Sequence, residues 1–210
     1  MHSIRKEEIT QASRVLGTAF FDDPIWRGFV PDQEERTRFL PSMFEFILRC
    51  GDKYGHVWKS SDRMEGVAIW FPAKTADLGF FLILFGGLFG KAMKLMSQYK
   101  RIMRDMQKNM SVLGKDRKRF MKGRDHLYLM AIGVAPEHQN QGHGGTLLKH
   151  LFGESHTRDV PVYLETETEE NVRLYEHHGF ETIGERDFAH KGFHIWQMVR
   201  RPTGPITMSE

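Results

Sequence analysis

The sequence predicts an α/β fold in which helices pack on a sheet holding at least one parallel strand pair. Three observations lead there. The apolar run HLYLMAIGV (126–134), the helical pattern of TLLKHLF (146–152) and the apolar run VYLET (162–166) form a strand–helix–strand unit. Such a unit joins parallel strands by a right-handed crossover. HVWKSSDRMEGVAIWFP (56–72) reads as two strands joined by a polar turn. Elsewhere apolar residues recur at helical spacing. At 210 residues with 40% hydrophobic and 27% charged side chains, the composition is that of a soluble globular chain. No repeat or linker divides it, so residues 1–210 read as a single domain.

Taken in order, SIRKEE is a short first strand. Residues 7–21 carry Ile9, Ala12, Val15, Leu16, Ala19 and Phe20 on one helical face. FDDP ends that helix, because proline cannot continue it and restrains its predecessor. Glu34–Cys50 forms a second helix along Phe39, Leu40, Met43, Phe44, Ile47 and Leu48, with Gly51 as its stop signal. Gly66–Phe71 is apolar throughout, as a central strand buried on both faces would be. Residues 91–110 form one long helix with a stripe of Leu95, Met96, Tyr99, Ile102, Met103, Met106 and Met110, a pattern that usually faces a core. A short helix covers Glu170–His178 and ends at Gly179. FHIWQMV (193–199) is a final strand, and residues 202–210 are a loose tail.

The net charge of +3 conceals an asymmetry. Residues 91–122 hold eleven Lys/Arg against two Asp, a local +9, which leaves −6 for the rest. A solvated helix face accounts for this, with an anionic partner as the alternative. Nucleic acid is not the expected partner, since the segment's aromatics, Tyr99 and Phe120, are too few to form a stacking platform. Cys50 is the only cysteine, so no internal disulfide forms and a reducing, cytoplasmic compartment fits. The N-terminus lacks an apolar signal core. The longest apolar run, Leu78 to Gly90, is 13 residues with four glycines. A membrane span needs about 20.

The sharpest local signal is QNQGHGG (139–145), three glycines where a helix begins. The first turn of a helix has backbone N–H groups with no internal partner, and the helix dipole favours an anion there. Glycine removes the Cβ that would hold a diphosphate away and permits unusual dihedrals. The amides of Gln141, Gly142, His143, Gly144, Gly145 and Thr146 are the candidate donors. The P-loop pattern is absent, and the dinucleotide pattern fails because Leu147 stands where its third glycine belongs. A glycine-rich tight turn without a ligand is the plainer reading of spacing alone. His138, His143, His177 and His178 follow no metal-ligand spacing, so no metal is expected.

IGVAPEHQNQGHGGTLL resembles the acetyl-CoA signature of the GNAT acetyltransferase superfamily, Gln/Arg-x-x-Gly-x-Gly/Ala, here Gln139, Gly142 and Gly144. YLETETEENVRLYEHHGF resembles the family's second segment through Leu164, Glu165, Asn171, Tyr175, Gly179 and Phe180. The likeness covers about residues 126–200, and the layout is similar to that of puromycin-acetylating members. It implies a mixed, twisted central sheet flanked by helices (α+β), whose two parallel central strands, 126–134 and 162–166, splay apart. Acetyl-CoA would be the cosubstrate, its pantetheine arm paired with the backbone of Ile132 and Val134, and Gly133 marking a bulge. Gln139, Asn140, Asn171 and Tyr175 complete the implied binding set.

The implied reaction moves acetyl from the thioester directly to a neutral amine. It needs a donor for the carbonyl oxygen, for which the Val134 amide is the candidate, and an acid for the leaving thiolate. The resemblance assigns that acid to Tyr175. A phenol near pKa 10 is a slightly weaker acid than a thiol near about 8.5, so the transfer follows charge as it develops on sulfur. Asn171 and Tyr175 stand one helical turn apart on one face. Glu165 and Glu167, two apart in a strand, point the same way and either could accept the amine's proton. Glu165 matches the family position, and deprotonation in solution would leave a dedicated base unnecessary.

Residues 74–122, an insert between strand and signature, read as a lid over the acceptor, with a homodimer contact and an interfacial membrane element as alternatives. The expected acceptor is a small-molecule amine. The rivals are a protein or peptide amine and a non-catalytic acyl-CoA sensor, against which the retention of Tyr175 argues.

Overall fold

The computed structural model describes residues 2–76 and 87–202. Most of the apolar run that begins at Leu78 and the tail from residue 203 lie outside the described residues.

Strand β1 (His2–Ser3) and a 3-10 turn at Lys6–Glu8 lead into α1 (Ile9–Ala19), which buries Ile9, Ala12 and Leu16. FDDP ends α1 as its sequence requires, and it also starts a helix that periodicity did not reveal, α2 (Pro24–Phe29). Asp23 caps it, its Oδ1 accepting the Ile25 N–H at 2.9 Å, and proline occupies the first helical position, where its missing N–H costs nothing. Helix α3 (Gln33–Tyr54) begins at the Asp32 cap, which accepts the Glu35 N–H at 2.7 Å. It runs through Gly51 instead of stopping there. A Cβ at Gly51 would lie 2.7 Å from the Val57 side chain and 2.9 Å from Ile69. That glycine therefore lets α3 press onto the sheet, and the helix ends at Gly55.

Strands β2 (His56–Lys59) and β3 (Gly66–Pro72) form the expected hairpin. A short helix α4 (Ala73–Ala76) follows β3. The single helix expected over 91–110 is two, α5 (Phe89–Gln98) and α6 (Lys100–Met121), divided at Tyr99. Tyr99 leaves helical geometry with φ −122° and ψ 39°. Its hydroxyl donates to the Arg38 carbonyl at 3.0 Å, and its ring meets Phe39 edge-on at 5.0 Å. Tertiary anchoring on α3 thus overrides local helical periodicity. Strand β4 (Leu127–Val134), helix α7 (His143–Arg158), strand β5 (Val162–Thr166) and helix α8 (Glu169–His177) follow. Strands β6 (Glu181–Phe188) and β7 (Phe193–Arg200) close the described chain.

The seven strands form one mixed sheet in the order β1-β2-β3-β4-β5-β7-β6, antiparallel everywhere except between β4 and β5. Alternation along β3 explains its wholly apolar sequence. Val67, Ile69 and Phe71 face the core beneath α1 and α3, while Ala68 and Trp70 face the second core beneath α7. Leu147, Leu148 and Leu151 fill that second core against Leu127, Leu129, Val162 and Leu164. Each such side chain stabilises the fold by about 1.5–3 kcal/mol relative to exposure.

The parallel pair is short. Leu127, Tyr128 and Leu129 pair with Val162, Tyr163 and Leu164, and there the pairing stops. Beyond it β4 stays with β3, whereas Glu165 and Thr166 stay with Gln197 and Trp196 of β7. The central strands part as the resemblance implied. The β-bulge lies at Met130, not at Gly133: Ile69 pairs with Ala131 and Trp70 with Leu129, leaving Met130 without a counterpart. Gly133 has another reason. A Cβ there would sit 2.9 Å from Ala19 Cβ and 3.1 Å from Leu16 Cδ2, so glycine admits α1 close to the strand.

Candidate functional site

Two cavities meet where β4 and β5 part. The first, about 470 Å³, runs along the parted strands to the glycine turn. Its main-chain wall follows from strand alternation. The Gly66 N–H donates to Ser60 Oγ at 2.9 Å and its carbonyl accepts the Ser60 N–H at 2.9 Å, so both its groups face β2. Gly66 therefore forms a non-hydrogen-bonded pair with Val134, and the N–H and C=O of Val134 turn away from β3 toward the cleft. Ile132, two residues earlier, is oriented alike. The Val134 carbonyl accepts Gln139 Nε2 at 3.2 Å, which leaves its N–H for a ligand.

The turn carries two left-handed residues, Asn140 at φ +60° and Gly142 at φ +84°. Helix α7 closes its first internal bond when the Thr146 N–H donates to the Gly142 carbonyl at 3.0 Å. The Thr146 amide is thus consumed, contrary to expectation, and its hydroxyl donates to the same carbonyl at 3.1 Å. The amides of His143, Gly144 and Gly145 precede that bond. Among the described residues these three, with those of Gln141 and Gly142, have no hydrogen-bond partner. A Cβ added at Gly142 or Gly145 would meet nothing within 4 Å, and at Gly144 only Val134 Cγ2 at 3.9 Å. Packing within the protein does not demand these glycines. The space they leave is the cleft itself, so the residues present fit a diphosphate.

Gln139, Asn140, Gly142, His143, Gly144 and Gly145 all line this first cavity. Gln141 does not: its side chain folds back, Nε2 donating to the Glu137 carbonyl at 3.2 Å. His143 is half-buried with Nδ1 3.9 Å from the Glu65 carboxylate. Hydrogen bonds from the Ser61 hydroxyl, its own amide and the Ser60 hydroxyl hold the Glu65 carboxyl down at about 2.

Asn171 and Tyr175 reach the same cavity from α8. Thr168 caps that helix, its Oγ1 accepting the Asn171 N–H at 3.2 Å. Tyr175 is 8% exposed and its ring meets Phe180 edge-on at 5.4 Å. Burial, followed by the nearby Glu167 charge, pushes its phenol up. It therefore keeps its proton across the neutral range and stands as a donor.

The second cavity, about 390 Å³, lies between α2, α3 and α6. Trp26, Met43, Phe44, Met106, Met110 and Leu113 give it apolar walls, while Asp23, Arg117, Glu165 and Glu167 supply its polar groups. Phe20, Met130, Ala131, Glu165 and Glu167 line both cavities. Burial raises the Glu165 carboxyl, opposed by the Tyr128 hydroxyl, the Arg117 guanidinium and the Tyr163 hydroxyl. Burial pushes Asp23 up to about 6, against hydrogen bonds from the Ile25 and Trp26 amides and from Glu167. Glu167 is raised well above the carboxylate range by burial, then by the charges of Asp23 and Glu165.

Two residues of this seam escaped the sequence reading. Asp23 was read as part of a helix terminator, although Asp before Pro is also a cap signal. Arg117 was read within the basic, solvated face, yet it is 5% exposed, with its guanidinium 4.2 Å over the Tyr128 ring. Its position on the stripe Met106, Met110, Leu113, Arg117 was the available signal.

Among the described residues no group of three or more His, Cys, Asp or Glu could hold a metal ion, and no helix is long and apolar enough to cross a membrane. Residues 109–182 match the family model of the acetyltransferase (GNAT) domain. An uncharacterized N-acetyltransferase of Schizosaccharomyces pombe is 26% identical over 182 residues, covering 84% of this chain and 72% of the relative. The fold is shared with a structure described as histone acetyltransferase HPA2 and related acetyltransferase from Corynebacterium glutamicum, with a TM-score of 0.65, 21% identity and coverage of 98% of this chain and 97% of that one. It is also shared with the ribosomal-protein-S18-alanine N-acetyltransferase from Escherichia coli, with a TM-score of 0.52, 16% identity and coverage of 100% and 97%. The matched segment holds the glycine turn, the parted strands and the helix of Tyr175, so the residues that form the first cavity are those that match the GNAT acetyltransferase domain, within a fold shared with acetyltransferases.

Proposed function

We propose that the protein transfers acetyl to the primary amine of a small molecule bound in the 390 Å³ cavity. The observation that carries this reading is the meeting of two separate cavities at Glu165 and Glu167. Donor and acceptor can approach that seam from different sides. The described part of the 74–122 insert supports the lid role, since Ala76, Met106, Met110 and Leu113 wall the acceptor cavity.

In this reading acetyl-CoA supplies an activated acetyl thioester. The free amides of Gln141 to Gly145 hold its diphosphate, with Gln139 and Asn140 shaping the turn. The main chain of Ile132 and Val134 pairs with the pantetheine arm, and Asn171 lines the same channel. The Val134 N–H donates to the carbonyl oxygen as negative charge grows there. Tyr175 donates its phenolic proton to the departing sulfur. Glu165, where Arg117 and the Tyr128 hydroxyl oppose the rise that burial imposes, anchors the substrate nitrogen at the seam.

A protein or peptide amine is the rival acceptor, and the relative from Escherichia coli is described as acting on one. The acceptor cavity here, walled by α2, α3 and α6, favours a small body instead. The test is a panel of small primary amines and of peptides with free N-termini or lysines, incubated with purified protein and acetyl-CoA and read by thiol release. Acetylation of small apolar amines is expected. Transfer to peptides alone would replace the small-molecule reading.

A further inference from the structure

We propose that Asp23 and Glu167 act as one unit that takes the proton from the incoming ammonium, while Glu165 beside them anchors its nitrogen. This rests on the reading of the 390 Å³ cavity as the acceptor site.

Three carboxyl groups converge on the seam. Glu165 in β5 and Glu167 just past its end line the same two cavities. Asp23 arrives from the turn between α1 and α2 and lines the same cavity as Glu167. Their surroundings differ. Burial raises Glu165, but the Arg117 guanidinium and the Tyr128 hydroxyl beside it oppose that rise. A carboxylate already beside a cation is a weaker base than a neighbour that has none. Glu167 faces Asp23, Glu165 and the Tyr175 phenol, and none of these is a cation. Two buried carboxyl groups that share one cavity cannot both ionise cheaply, so such a pair keeps one proton between them and titrates as a unit. It presents one negative charge and one open proton position. Glu167 lines both cavities, which puts that position where an acceptor nitrogen must sit to reach the thioester. Asp23 lines only the acceptor cavity, which offers the proton a way out on that side.

The step balances as follows. The ammonium gives one proton to the pair, which then holds two, and the nitrogen regains its lone pair. Nitrogen bonds to the carbonyl carbon and the carbon–sulfur bond breaks, its electrons leaving on sulfur. Sulfur takes the Tyr175 proton. The nitrogen sheds one further hydrogen as the amide forms, which restores Tyr175, and the pair returns its extra proton to solvent. No oxidant or reductant is involved.

The test compares two nucleophiles of one shape: the best alkylamine of the panel, and its aminooxy analogue, which is neutral at the assay pH. Wild type, Glu167→Gln and Asp23→Asn are measured across pH. Asparagine is as good a helix cap as aspartate, so Asp23→Asn keeps α2. For the alkylamine, Glu167→Gln is expected to lower kcat/KM by about 100-fold, the lower end of general-base contributions, and to abolish the acid limb of the profile. Asp23→Asn is expected to shift that limb to lower pH. Both variants retain most turnover of the aminooxy analogue, and calorimetry finds their acetyl-CoA affinity unchanged. Equal losses with both nucleophiles would reduce the pair to a structural role and overturn this assignment alone. Wild type that acetylates neither nucleophile would overturn the small-amine reading beneath it.

Discussion

Replacing Gly145 by alanine should raise the stability of the unliganded protein and weaken its hold on acetyl-CoA. Gly145 is the third residue of α7, its φ is not left-handed, and a Cβ there would meet nothing within 4 Å. Alanine in a helix is favoured over glycine by about 0.5–1 kcal/mol. For a chain of this size that is a rise in Tm of roughly 1–4 °C. The same methyl group would stand in the open space where the unbonded amides converge. Losing one hydrogen bond to a charged group costs about 1.5–3 kcal/mol. That corresponds to a weakening of Kd by about 10- to 150-fold. Gly142→Ala makes the contrast, because its φ of +84° penalises any Cβ. There stability should fall by about 1–2 kcal/mol while binding weakens as well. Melting curves without ligand and isothermal calorimetry with acetyl-CoA measure the two effects separately. A Gly145→Ala protein that binds acetyl-CoA as tightly as wild type would refute the cradle.

Three further outcomes are expected. Tyr175→Phe should reduce kcat far more than it changes acetyl-CoA affinity, and steady-state kinetics beside calorimetry would expose unchanged turnover, which removes the acid role. Gly133→Ala should destabilise the fold by about 1–3 kcal/mol through overpacking of α1 on β4, seen as a lowered Tm. The Cys50 thiol, buried and pushed up to about 12 by burial, should resist alkylation in the native protein and react readily once denatured, as thiol titration would show.

The donor side of the site was legible because its information is local. Gly142 and Gly144 stand within a few residues of the helix they open, and the apolar runs at 126–134 and 162–166 announce strands by composition alone. Of the second cavity only Glu165 and Glu167 were legible, because its other residues meet only in three dimensions. Asp23 and Glu167 lie far apart in sequence, and no periodicity links a cap residue to the end of a strand. Arg117 was hidden by its neighbours Lys115, Lys118 and Arg119, whose charge suggested a face in water. Strand β6 was missed for a related reason. It is an edge strand with Glu181, Glu185, Arg186 and Asp187 turned mostly to solvent, so it lacks the apolar alternation that marks a half-buried strand. Gly51 and Gly133 were recognised as special but given the wrong cause. Whether a glycine ends a helix, makes a bulge or admits a neighbour depends on what stands opposite it, and that is a property of the packed fold.

The parting of β4 from β5 divides the labour of recognition between two kinds of chemistry. On the β4 side the cleft is walled by peptide units, which replacement of a side chain leaves in place unless the new residue is proline. The second cavity is walled by side chains, replaceable one codon at a time. An enzyme built this way can change what it modifies while continuing to draw on the same fuel.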